Sequence, residues 1–188
     1  MTPSQTNIDE NDKQKIILIG GMLATGKTTL AKSLSEKLKL PYFYKDILKE
    51  KLGEAIGFSN REENLKLSKG AFLMLYSISE QLVANHSSFI LESNFRQNEL
   101  DDLEKLFLKN NYEIISIKLS GDIDVLYQRY LHRFECENRN PVHANFSSYE
   151  EFKEYQIYVN QVNYPGKVIE LDATNFIDVN ACINLLGY

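Results

Sequence analysis

The segment KIILIGGMLATGKTTLAKSLSEKL, residues 15 to 38, constrains this chain more than any other. It carries G-x-x-x-x-G-K-[ST] as Gly21, Gly26, Lys27 and Thr28, directly after an apolar run and directly before a stretch with helical spacing. Glycines let the backbone turn tightly, so the N–H groups from Leu23, Ala24, Thr25 and Gly26 on to Thr28 and Thr29 can converge on phosphate oxygens. The following helix adds the partial positive charge of its N-terminus. In such a loop Lys27 reaches the β- and γ-phosphates of a nucleoside triphosphate and the Thr28 hydroxyl ligates Mg²⁺.

The rest of the chain supplies the matching fold class. KIILIG (15–20), SFILE (88–92), EIISIKL (113–119) and KVIELD (167–172) read as buried strands, with PYFYK (41–45) as a fifth. Helical spacing fills the intervals, which predicts an α/β protein: a three-layer α/β/α sandwich around a five-stranded, mostly parallel sheet. Leu30, Leu34 and Leu38 line one face of the first helix. Between 61 and 84 two apolar stripes appear, Leu65, Phe72, Leu75, Ser79 and Leu82 on one and Leu67, Ala71, Met74 and Ile78 on the other, so this helix is expected to be central and buried. The segment 96–110 is amphipathic, and Asp122 is placed to cap a helix whose inward stripe is Ile123, Leu126 and Tyr130. Residues 1–14 read as a polar disordered tail and 15–188 as a single domain. Within that domain about 134–149 lacks sustained periodicity and contains Asn-Pro and Ser-Ser breakers; a loop of this length is expected to serve as a lid.

Composition narrows the function. A net charge of −5 disfavours nucleic acid as a partner and points to a small-molecule substrate. No apolar run approaches the roughly 20 residues of a membrane helix, and the first residues carry no secretory pattern, so a cytoplasmic location is expected. Cys136 and Cys182 form no metal or disulfide pattern, and His86, His132 and His143 read as ordinary surface or half-buried side chains.

A loop that binds phosphates leaves kinases, GTPases, motors and switches open. The chain has no N-K-x-D element to read guanine and little room for a motor's second subdomain, which favours a small-molecule kinase. Moving a phosphoryl group to a hydroxyl needs a carboxylate at the acceptor, cations on the transferred group and a cover against water. Asp46, after the second strand, falls on the rim that holds the phosphate loop and is the expected base. Glu92 ends a strand where an acidic residue approaches Mg²⁺; Asn94 and Arg96, in the loop that follows, are expected to contact substrate. Arg129 and Arg133 share a helical face and are expected to hold phosphate, with Arg139 closing over the γ-phosphate as an arginine finger. Two other readings remain: a nucleotide-dependent switch or ATPase without a small acceptor, and a polynucleotide 5′-hydroxyl kinase.

The ordered set GMLATGKTTLAKSLSEKL, FYKDILKE, FILESNF, YQRYLHRF, RNPVHAN and ELDATN resembles the P-loop kinase-like ATPases grouped with zeta toxins, chloramphenicol phosphotransferase and gluconate kinase. The resemblance runs from about Lys15 to Thr174. It implies a nucleoside-kinase-like fold with a lid, ATP as donor, Asp46 acting on the acceptor hydroxyl, and Arg129 and Arg133 as phosphate holders. It also implies that adenine lies near the loop 172–176, which contains Thr174. The chain departs from the family pattern at Glu92, where Asp is common, and at Val142, where Gly is usual.

Overall fold

The structure, a computed structural model, describes residues 13–136, 140–143 and 145–188. Five strands, β1 (Lys15–Gly21), β2 (Tyr42–Tyr44), β3 (Phe89–Glu92), β4 (Glu113–Ser120) and β5 (Lys167–Asp172), form one sheet in the order β2-β3-β1-β4-β5. Every pairing is parallel, with Ile19 opposite Glu92 and Gly21 opposite Leu119. The predicted fold class is therefore observed, with boundaries shifted by a residue or so at most strand ends.

Strand alternation builds the layers. Ile16 and Leu18 of β1, Phe89 and Leu91 of β3 and Ile114 of β4 point to one face, where α3 (Arg61–Ala84) and α4 (Gln97–Lys109) cover them with Phe72, Leu75, Leu100, Leu103 and Phe107. Ile17, Ile19, Ile90, Ile115, Ile117 and Leu119 point the other way and meet α1 (Lys27–Leu38) and α7 (Val179–Leu186) through Leu30, Ala31, Leu34, Cys182 and Leu186. A third cluster lies beyond the carboxyl edge of the sheet. There Met22 from the β1–α1 loop packs with Leu126 and Tyr130 of α5 (Ile123–Cys136) and Phe152 and Val159 of α6 (Tyr149–Asn160). The remaining helix, α2 (Lys45–Ile56), follows β2 without a loop.

Helix α3 departs from expectation. Its residues 61–84 are helical as predicted, but a single face is buried, carried by Leu67, Ala71, Phe72, Leu75, Ser79 and Val83. Leu65, Leu73 and Met74 are exposed, because α3 lies across the outside of the sheet rather than inside a bundle. The segment expected to be a lid is more ordered at both ends: α5 runs on to Cys136 and α6 starts at Tyr149. Residues 140–143 form a strap anchored by Val142, which is 1% exposed. The Val142 carbonyl accepts from Lys49 Nζ at 2.6 Å and from Asn64 Nδ2 at 3.2 Å, so the strap is tied to α2 and α3. Among the described residues no helix is long and apolar enough to cross a membrane.

Candidate active site

β1 stands between β3 and β4; the chain crosses from β1 to β2 on one side and later from β3 to β4 on the other, so the carboxyl end of β1 borders the switch point where an open parallel sheet forms a crevice. The loop 21–26 sits there. Gly21 has φ +109, and a Cβ on it would stand 2.1 Å from the Leu119 carbonyl oxygen. The first glycine of the motif is thus required by sheet packing. Gly26 has φ +82, precedes α1 with no side-chain cap, and a Cβ there would meet nothing within 4 Å. The uncapped N–H groups of the first turn consequently open onto free space, which suits a phosphate.

The loop is braced from α6, a contact that nothing in the sequence announces. The fully buried Gln156 receives a hydrogen bond from Leu23 N at 2.8 Å and donates to Leu23 O at 3.1 Å, imitating a backbone pair. Lys27 is 8% exposed, and its Nζ donates to Met22 O at 2.6 Å. Burial lowers its pKa to about 8, against the pull of Glu92 and Asp46. The Thr28 hydroxyl donates to Glu92 Oε2 at 2.8 Å, and Glu92 is 3% exposed. Burial raises the Glu92 carboxyl to about 7, opposed first by the Lys27 charge. Thr28 and Glu92, adjacent, oxygen-bearing and beside the loop, are a donor set that fits Mg²⁺.

A cleft of about 1200 Å³ opens over this group. Of the predicted site residues it is lined by Leu23, Ala24, Gly26, Lys27, Thr28, Thr29, Asp46, Glu92, Asn94, Arg129 and Arg133. Gly21 and the buried Thr25 shape the loop from behind, the latter by donating to Met22 O at 2.8 Å. Asp46 lies in the first turn of α2, whose N-cap is Tyr44, so its carboxylate is not spent on capping. Arg96 is exposed at the start of α4 and lies outside the lining. Arg139 falls outside the described residues.

Two of the expected residues have partners within the protein. Arg129 borders the cleft, but its Nη1 donates to Ala173 O at 2.5 Å and its Nη2 to Thr174 O at 2.8 Å, so it staples α5 to the turn after β5. Arg129 is thereby held at the cleft wall by two carbonyls, and Arg133 lines the same cleft. Thr174 does not line the cleft; its Oγ1 accepts from Asp122 N at 2.8 Å within the same staple.

His143, read from sequence as an ordinary side chain, belongs to the cleft wall. Its Nε2 lies 2.6 Å from Glu50 Oε1 and its Nδ1 3.8 Å from Asp46 Oδ2, which connects the strap to the expected base. Beneath Asp46, Lys45 and Glu99 form a buried ion pair, with Nζ at 2.9 Å from both carboxylate oxygens, and Glu99 Oε2 also accepts from Arg96 N. This pair pins the start of α2 to the start of α4. Spacing along the chain could not reveal it, since the partners are distant in sequence.

The sequence matches the AAA domain family over residues 17–158. The chain belongs to this family. It is 29% identical over 147 residues to a shikimate kinase of Flavobacterium johnsoniae, covering 76% of this chain and 77% of that one. The crystal structure of a candidate kinase from Chloroflexus aurantiacus J-10-fl superposes with a TM-score of 0.83 at 29% identity, covering 93% of this chain and 97% of the other. A gluconokinase from Sinorhizobium meliloti 1021 shares the fold, with a TM-score of 0.58 at 14% identity over 90% and 87% of the two chains. This AAA domain protein thus has a kinase-like fold, and its site residues have to be judged on their own geometry.

Proposed function

We propose that the protein is an ATP- and Mg²⁺-dependent phosphotransferase acting on a hydroxyl group of a small molecule. The observation that carries this reading is the meeting, in one cleft, of the Lys27–Thr28–Glu92 group with Asp46. A nucleotide switch needs the first set alone; a carboxylate facing it across open space is what an acceptor hydroxyl requires. The kinase names of the relatives agree with it.

In this reading the loop N–H groups and Lys27 bind and orient the triphosphate, and Arg133 adds positive charge near the transferred group. Thr28 and Glu92 would hold Mg²⁺, which would supply neutralisation of the phosphate oxygens. Asp46 accepts the hydrogen bond of the acceptor hydroxyl, aligns its oxygen and takes its proton as the new bond forms. The strap, held by Val142, limits water on the acceptor side.

Transfer itself is the test. The protein with ATP labelled at the γ-phosphate and Mg²⁺ should move label into a phosphorylated small molecule when given a metabolite pool. Label released only as inorganic phosphate, at the same rate with or without the pool, would favour a switch or simple ATPase instead.

A proton balance follows as well. With burial raising Glu92 to about 7, the free protein carries this carboxyl partly protonated near neutral pH, and a metal ligand must be ionised. Binding of Mg²⁺–nucleotide should therefore release protons at pH 6 to 7, and affinity should rise with pH through that window. With Lys27 near 8, binding at pH 9 should instead take up protons, because the phosphates favour the ammonium form. Titration calorimetry in buffers of different ionisation heat reads both signs; a heat independent of buffer at pH 7 would contradict the Glu92 part.

A further inference from the structure

The cleft has two halves of opposite charge. Lys27, Arg129 and Arg133 are the lysine and arginine residues in its described lining, and they come from α1 and α5, on the nucleotide side. The acceptor-side wall is made by Asp46 and Glu50 of α2, Asn94 after β3, and Asn140 and His143 of the strap, while Glu92 belongs with Thr28 on the nucleotide side. Asp46 and Glu50 are four residues apart and so share one helical face. Among the described residues this wall contains two carboxylates, two amides and an imidazole, without a lysine or arginine.

The two nearby lysines are engaged elsewhere. Lys45 is bound to Glu99 beneath the surface. Lys49 donates to the Val142 carbonyl, and burial lowers its pKa, so it serves the strap. Arg61 and Arg96 are exposed and outside the lining. The His143 imidazole touches both acidic side chains and is itself tied to Glu50.

We infer that the acceptor is a non-acidic hydroxyl compound, a polyol or amino alcohol, and that a carboxylate or phosphate beside its reacting hydroxyl would be rejected. The inference rests on the phosphotransferase reading and gives it a substrate class. An acidic acceptor would bring a desolvated anion against Asp46 and Glu50, and like charges so placed repel strongly. Hydroxyl and ammonium groups are donors that those same oxygens and the two amides can satisfy. Discrimination here comes from repulsion as much as from attraction.

Matched acceptors test it. Gluconate, sorbitol and glucamine share a six-carbon polyhydroxy chain and differ at one end, by a carboxylate, a hydroxyl and an ammonium. Glucuronate, glucose and 6-amino-6-deoxyglucose form a second such set. With the full chain, ATP and Mg²⁺, the neutral or amine member of a set should accept phosphate with a kcat/KM roughly tenfold or more above that of its acid. Glu50→Gln should narrow that ratio several-fold. An acid that is the best acceptor of its set would overturn the inference while leaving the kinase reading intact. A ratio unchanged by Glu50→Gln would overturn the role given to the acidic wall. Transfer to no member of either set, with nucleotide still bound, would count against phosphotransfer itself and the acceptor class with it.

Discussion

Asp46→Asn should lower the rate of phosphate transfer by roughly 10²- to 10⁴-fold, the range that general-base groups contribute, while leaving nucleotide affinity nearly unchanged. The substitution keeps the size and shape of the side chain. Its N-cap being Tyr44, α2 does not depend on Asp46 for its start, and the buried Lys45–Glu99 pair that fixes this end of the helix is untouched. The loss should appear in kcat rather than KM, since the carboxylate matters most as the acceptor proton leaves. Phosphorylated product formed by the variant at the parent rate would remove Asp46 as the base and shift attention to Glu50 and His143 on the same wall.

The second large effect concerns folding. Gly21→Ala should destabilise the protein by on the order of 3 kcal/mol or more, through a strained positive φ together with overlap of the new methyl with the backbone of Leu119. Gly21 pairs with Leu119 in the β1–β4 ladder, and the next amide, Met22 N, donates to Leu119 O at 2.8 Å, so the strand cannot simply move aside. Gly26→Ala has a different expectation. Its Cβ would meet no protein atom, so the stability cost should be limited to the left-handed backbone, about 1–2 kcal/mol, while phosphate binding is lost because the methyl enters the cradle. Denaturant midpoints and nucleotide titrations of the two variants separate these effects; equal loss of stability in both would refute the division of labour between the two glycines.

The sheet and the phosphate loop were legible because both rest on local signals. Apolar β-branched runs mark β1, β3, β4 and β5, and the glycine spacing together with its strand and helix flanks marks the cradle. Asp122 also behaves as read, its Oδ1 accepting from the amides of Asp124 and Val125. What escaped depends on partners far along the chain. Gln156 acts on Leu23, Lys45 on Glu99, and Arg129 on the carbonyls of Ala173 and Thr174; in each case the residue type permits the contact and only the fold supplies it. The reading of α3 failed for a related reason. Apolar residues all round suggest burial, yet burial is decided by what packs against each side, and Leu65, Leu73 and Met74 have no covering element among the described residues. Val142 is the clearest reversal. A departure from a family pattern, it proves to be the anchor of the strap, with its side chain against Gly53 and its carbonyl held by two donors.

That anchor has a bearing on kinetics. The strap lines the cleft through Asn140 and Pro141, and it carries the imidazole that touches Glu50 and Asp46. In the proposed reaction one short stretch of chain therefore borders the acceptor in the same cleft that holds the nucleotide, and a ligand that shifts the strap bears on both. Such a tether makes random, independent addition of the two substrates the less natural scheme: the dissociation constant measured for one should depend on whether the other is already in place.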